Sequence, residues 1–240
     1  MVSLFHREYF TPTADGIELA KVTPASEQNL CPSERFSNQI SAASCTGALV
    51  APNIVLTAGH CFKKVADCKD MVVGFDYLLP QPNVMPGALP RKNVFACKRI
   101  LARENKENGL DYAFIELDRL VHDRPYFQFD LSDKFNPGDP LFIIGHPMGI
   151  PAKFAHGMVV EPDEILVQTD LDTYEGNSGS PVFNARTGLI VGVLVEGEED
   201  FVDNGSCKVS KVCNSNNCTG EYVTRIANIL ESYYQKTNKP

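Results

Sequence analysis

The sequence predicts an all-β protein, a sandwich or barrel arrangement, closed by one helix at its C-terminal end. Three observations carry this. From Ser44 onward the chain falls into short apolar runs rich in β-branched and aromatic residues. Turn residues such as Pro52-Asn53 separate them, and repeated short strands with Gly and Pro turns are the mark of a sandwich or barrel. Only one segment, EYVTRIANILESYYQK, has helical periodicity, with Val223, Ile226, Leu230 and Tyr233 on one face.

The elements follow in order. Residues 1–40 are polar and broken by Pro12, Pro24 and Pro32, so they read as an arm on the surface. CTGALVA and IVLTA then form a hairpin, followed by MVVGF, NVFACKRIL and YAFIEL. The stretch from Leu120 to Asp139 is polar and carries Pro125, Pro137 and Gly138, and it reads as a connection between two halves. LFIIG, AKFAHGMVV, EILVQTDL, SPVF and LIVGVLV supply the later strands.

Composition narrows the function. The 240 residues are 43% hydrophobic and 22% charged, a globular balance. Asp plus Glu number 30 against 22 Lys plus Arg, a net charge of -8. Nucleic-acid binding needs clustered positive charge, so no nucleic-acid partner is expected. No apolar run reaches the ~18 residues of a membrane span. The opening MVSLFHREYF has no signal-peptide h-region, so an exported protein would be present here in processed form.

The chain has eight cysteines, and an even number without CxxC pairs implies disulfides and an oxidising compartment. A hairpin turning at Pro52-Asn53 brings Cys45 beside Cys61. Cys68 and Cys97 both lie in the first half and are expected to pair. Cys31, Cys207, Cys213 and Cys218 then pair in one of three ways. Their spacing fits no common zinc pattern, so no metal and no cofactor is expected. Asn204-Gly205-Ser206 and Asn217-Cys218-Thr219 match the glycosylation pattern.

Three pieces carry chemistry. His60 ends a strand beside Cys61, and a disulfide there would fix a general base, whose rate contribution depends on placement. Asp111, in GLDYAFIEL, precedes an uninterrupted apolar strand and could orient an imidazole while shielded from water. Ser178, in EGNSGSPVF, lies between Gly176 and Gly179. Glycines there permit a sharp turn, and the amides of Gly176 and Ser178 can converge on one point as an oxyanion hole. Ser180 stands where the GxSxG motif of α/β-hydrolases needs glycine, and the order His, Asp, Ser also differs from theirs.

LTAGHC, LDYAFIEL and GNSGSPVF in this order resemble the histidine, aspartate and serine motifs of the chymotrypsin/trypsin-like serine peptidases. GNSGSPVFN is most similar to the bacterial glutamyl-endopeptidase-like branch. The resemblance runs from about Ser44 to the final helix. It implies two six-stranded antiparallel β-barrels, over residues 41–125 with His60 and Asp111 and 126–220 with Ser178, then a helix over 221–240. It implies that Ser178 is the nucleophile, His60 the base and Asp111 its orienting acid, with Gly176 and Ser178 donating to the oxyanion. A secreted or periplasmic monomer acting on protein or peptide substrates is the matching expectation.

Departures matter too. Asn177 replaces the aspartate that pairs with a newly cut amino terminus in trypsin-like enzymes. Leu194 stands where glutamyl endopeptidases carry a histidine, so the resemblance does not extend to a glutamyl preference. Asp172, at the place of the trypsin-like pocket aspartate, together with Thr173 and Glu196, points to cleavage after Arg or Lys. The alternatives are a glutamyl-specific endopeptidase, an esterase, and a catalytically idle binding protein on the same fold.

Overall fold

Twelve strands close into two antiparallel barrels, as shown by the computed structural model, which describes residues 1–81, 84–106, 109–212 and 218–237. Around the first barrel the strands run Val2–His6, Cys45–Ala51, Ile54–Thr57, Asp111–Leu117, Val94–Asn105 and Met71–Gly74. Around the second they run Pro140–Gly145, Lys153–Pro162, Leu166–Thr169, Glu221–Arg225, Ile190–Glu196 and Pro181–Asn184. Closure removes the exposed strand edges that an open sheet would present.

Each barrel has its own core. Leu4, Leu49, Val55, Val73, Phe95 and Ile115 fill the first. Leu141, Ile143, Val167, Val182, Val191 and Val223 fill the second. A third apolar layer joins the barrels, with Leu56 and Phe114 from the first against Phe183 and Val193 from the second. Ile226 and Ile229 of the C-terminal helix seal that layer. The cleft beside this seam is therefore bounded by two rigid walls.

Two elements differ from the sequence reading. The first residues are not a surface arm: Val2–His6 is a buried barrel strand, paired with Cys45–Ala51 and Met71–Gly74. Further along the same stretch, Phe10–Thr13 and Gly16–Leu19 form a hairpin that pairs with Ala88–Pro90. These strands are short, and the polar residues between them hide the alternation. The C-terminal helix starts later than its periodicity suggests. Glu221–Arg225 is a strand, and the helix runs Ile226–Thr237. The β-branched Val223 and Thr224 pair with both Leu166–Thr169 and Ile190–Glu196, and that pairing closes the barrel.

Disulfides join Cys45 to Cys61, Cys68 to Cys97 and Cys31 to Cys207. Cys218 is also disulfide-bonded. Cys213 and Asn217 lie outside the described residues.

Candidate active site

Asp111 opens a first-barrel strand and is 1% exposed, while the His60 side chain is 31% exposed. Asp111 Oδ2 lies 2.7 Å from His60 Nδ1. Its other oxygen accepts from the backbone amides of Gly59 at 2.6 Å and His60 at 3.0 Å. An ionised carboxylate only accepts, so the bond to Asp111 places the imidazole proton on Nδ1. Nε2 then carries the lone pair that can accept a proton. Cys61 is tied to Cys45 on the neighbouring strand, which fixes the turn carrying His60.

Ser178 belongs to a turn stitched to the Cys45–Ala51 strand, whose Cys45 is bridged to the histidine turn at Cys61. Thr46, next to Cys45, donates its amide to the Ser178 carbonyl at 2.9 Å. Its hydroxyl donates to the Gly176 carbonyl at 3.0 Å and accepts from the His146 amide at 3.0 Å. Gly179 packs against Thr57 Oγ1 and the Thr46 carbonyl with a φ of 84°, so a side chain there would strain the backbone and collide with both. Thr46 is not among the residues that the sequence motifs mark. A threonine after a bridged cysteine has no separate sequence signal, and its role follows from the approach of the two barrels.

The amides of the serine turn divide into two groups. Asn177, Gly179 and Ser180 donate to the carbonyls of Tyr174, Leu194 and Asn177. Among the described residues, the amides of Gly176 and Ser178 donate to no protein group. The Glu175 carbonyl accepts from the Met148 amide at 2.5 Å. A trans peptide directs its C=O and N–H to opposite sides, so this bond turns the Gly176 N–H away from Met148. The Met148 turn is braced in its own right. Ala42 and Ala43 donate to the Gly149 carbonyl at 2.9 and 3.0 Å, and Ser41 Oγ donates to the Met148 carbonyl at 2.7 Å. Residues near the amino-terminal end thus hold the loop that orients the Gly176 amide.

A cavity of about 190 Å³ opens beside Ser178, and Thr173, Leu194, Glu196, Gly197 and Glu221 are among its walls. Thr173 and Glu196, two of the expected substrate-binding residues, both line this cavity. The Glu196 carboxylate is exposed and pairs with Lys106 Nζ at 2.8 Å. Asp172 does not share this cavity. It is exposed and lines two neighbouring hollows instead. This segment follows the end of the Leu166–Thr169 strand. Leu171 and Thr173 are buried, so Asp172 between them faces out. The buried acid at this cavity is Glu221, which the sequence analysis assigned to the helix.

Comparison with known proteins agrees with this architecture. Residues 45–193 match the trypsin-like peptidase domain. The chain is 28% identical over 149 residues to the glutamyl endopeptidase of Bacillus licheniformis, covering 60% of this chain and 46% of that protein. It is 30% identical over 102 residues to a probable periplasmic serine endoprotease, DegP-like, of Chlamydia pneumoniae, covering 38% of this chain and 21% of that protein. The match thus spans less than half the length of either relative. A solved Glu endopeptidase in complex with MPD superposes with a TM-score of 0.58 at 21% identity, over 81% of this chain and 86% of that one. The doubly closed barrel, the three motifs in order and the domain match together make this chain a member of the trypsin-like peptidase family.

Proposed function

We propose that this protein is a serine endopeptidase that cleaves peptide bonds through Ser178, His60 and Asp111, with a preference for Arg or Lys before the cut. Ser178 Oγ attacks the scissile carbonyl carbon while its proton passes to His60 Nε2. The amides of Gly176 and Ser178 hold the negative oxygen of the tetrahedral intermediate. The C–N bond then breaks, and His60 gives its proton to the leaving amine. Water, deprotonated by His60, attacks the acyl ester, releases the acid and restores Ser178. Asp111 keeps the imidazole in the required tautomer and stabilises its cation.

The observation that carries this reading is the 2.7 Å contact between Asp111 and His60, on a turn bridged at Cys61 to the strand whose Thr46 bonds to the Ser178 turn. Two uncommitted amides beside the serine add to it. Three disulfides among the described residues support an oxidising compartment, secreted or periplasmic. No helix among the described residues is long and apolar enough to cross a membrane. A glutamyl preference is not favoured, because a substrate carboxylate would meet Glu221 in the cavity beside Ser178.

Profiling the parent and Ser178→Ala on a diverse peptide library tests the reading. The expected result is endoproteolysis by the parent and almost none by the variant. Equal hydrolysis by both, or none by the parent, would overturn it.

A further inference from the structure

We infer that Glu221 selects the substrate: its carboxylate lies at the buried side of the cavity beside Ser178 and pairs with the ammonium or guanidinium group of Lys or Arg. The inference rests on reading Ser178 as the nucleophile, since that fixes which cavity receives the side chain before the cut.

Glu221 is 8% exposed and sits at the start of a barrel strand. Thr173 Oγ1 donates to its Oε2. Among the described residues no cation lies within salt-bridge distance of this carboxylate. A charge buried without a counterion is unfavourable, and such groups concentrate at functional sites. Gly197 packs directly against it: a Cβ there would come within 2.3 Å of Glu221 Oε2, so any larger residue would displace the carboxylate from its present position at the cavity wall.

The surroundings repel anions. Glu175, Glu196, Glu198 and Asp200 line the same cavity, and among the described residues no basic one does. Lys106 compensates Glu196, and Lys211 compensates Glu198 at 2.6 Å. Asp200 accepts from the Glu175 amide at 2.7 Å, with no cation paired to it among the described residues. An ammonium or guanidinium that reaches the buried side would meet Glu221 in a partly desolvated wall, where a charge-assisted hydrogen bond is strong.

Titration follows from the same environment. Burial pushes the Glu221 carboxyl up to about 7, against the lowering effect of the Thr173 hydrogen bond, with Asp200 and Glu198 adding to the rise. Asp200 is itself raised to about 6, chiefly by burial. The pocket is then neutral at Glu221 below that range and anionic above it. Arg substrates should gain over neutral ones as pH rises. The ratio of the two rates cancels the protonation of His60, which both substrates share.

The test measures kcat/KM for matched Arg, Lys, Phe and Glu peptides on the parent, Glu221→Gln, Glu221→Asp and Asp172→Asn. A parallel calorimetric titration uses benzamidinium chloride with Ser178→Ala and with Ser178→Ala/Glu221→Gln. The parent should prefer Arg and Lys. Glu221→Gln should lower the Arg-to-Phe ratio by roughly 100-fold and flatten its pH dependence. Glu221→Asp should keep part of the preference, and Asp172→Asn should leave the ratio unchanged. Benzamidinium should bind Ser178→Ala and lose affinity in the double variant. An unchanged ratio in Glu221→Gln with full hydrolysis overturns the role of Glu221 and leaves the peptidase reading standing. Glu221-dependent benzamidinium binding in a chain that hydrolyses nothing supports cation recognition by Glu221 and overturns the peptidase reading.

Discussion

Thr46 Oγ1 lies 3.0 Å from the Gly176 carbonyl oxygen, and this hydrogen bond crosses from the first barrel to the second. The same residue accepts from His146 N and donates its own amide to Ser178 O. One buried residue therefore ties the serine turn to the strand whose Cys45 is bridged to the histidine turn. Thr46→Val keeps the volume but removes the acceptor of the His146 amide and the donor to Gly176. We expect kcat to fall by roughly 10- to 100-fold with little change in KM, because a small misplacement of reacting groups is costly. Thr46→Ser should recover most of the rate. Steady-state kinetics on one peptide decide this, and a wild-type kcat in Thr46→Val would contradict the positioning role.

Asp111→Asn should leave the fold intact and lower kcat by about 10⁴-fold, because an amide NH₂ facing Nδ1 favours the wrong tautomer. Kinetics should be paired with circular dichroism, so that a lost fold is told apart from a lost rate.

The Cys45–Cys61 disulfide should be resistant to separation from the site. Replacing both cysteines with alanine should destabilise the protein by ~2–4 kcal/mol and lower kcat through a looser His60 turn. Urea unfolding measures the first effect. Non-reducing peptide mapping should recover Cys45 with Cys61, Cys68 with Cys97 and Cys31 with Cys207.

Glu221 and His146 give opposite pH signs. The folded Glu221 carboxyl is raised to about 7, so its favourable contribution is full below its unfolded value and is lost as pH rises through about 7. Glu221→Gln should therefore be more stable than the parent at alkaline pH, by on the order of 1–3 kcal/mol. His146 is buried, stacked on Tyr77 with ring centroids 5.4 Å apart, and burial holds its imidazole down to about 3. Its contribution is full above the ordinary histidine value of about 6.5 and is lost as pH falls towards 3. In His146→Gln, unfolding in that window should take up one proton fewer. Urea titrations across the pH range read both effects.

Much of this was legible in the sequence because the informative units are local. LTAGHC, LDYAFIEL and GNSGSPVF each carry strand, turn and functional residue in a few positions. The Cys45–Cys61 hairpin is local in the same way. What stayed hidden is assembled by long-range pairing. Val2–His6 is a barrel strand only because Cys45–Ala51 and Met71–Gly74 flank it. Glu221 reaches the Ser178 cavity only because Glu221–Arg225 pairs with Ile190–Glu196, and in sequence it merges into the helical pattern that follows. Asp172 lies outside the cavity that Ser178 lines for a related reason. Past the end of the Leu166–Thr169 strand it is exposed between buried Leu171 and buried Thr173, and it is Thr173 that bonds to Glu221.

The central claim is that Ser178 is a nucleophile activated by His60 and served by two backbone amides. A fluorophosphonate probe tests it most directly. Parent, His60→Ala and Ser178→Ala proteins are incubated with the probe at mildly alkaline pH, digested and mapped by mass spectrometry. One adduct, on Ser178, is expected in the parent, with a labelling rate lowered by orders of magnitude in His60→Ala and no adduct in Ser178→Ala. An unlabelled parent, or labelling that persists unchanged in Ser178→Ala, would contradict it.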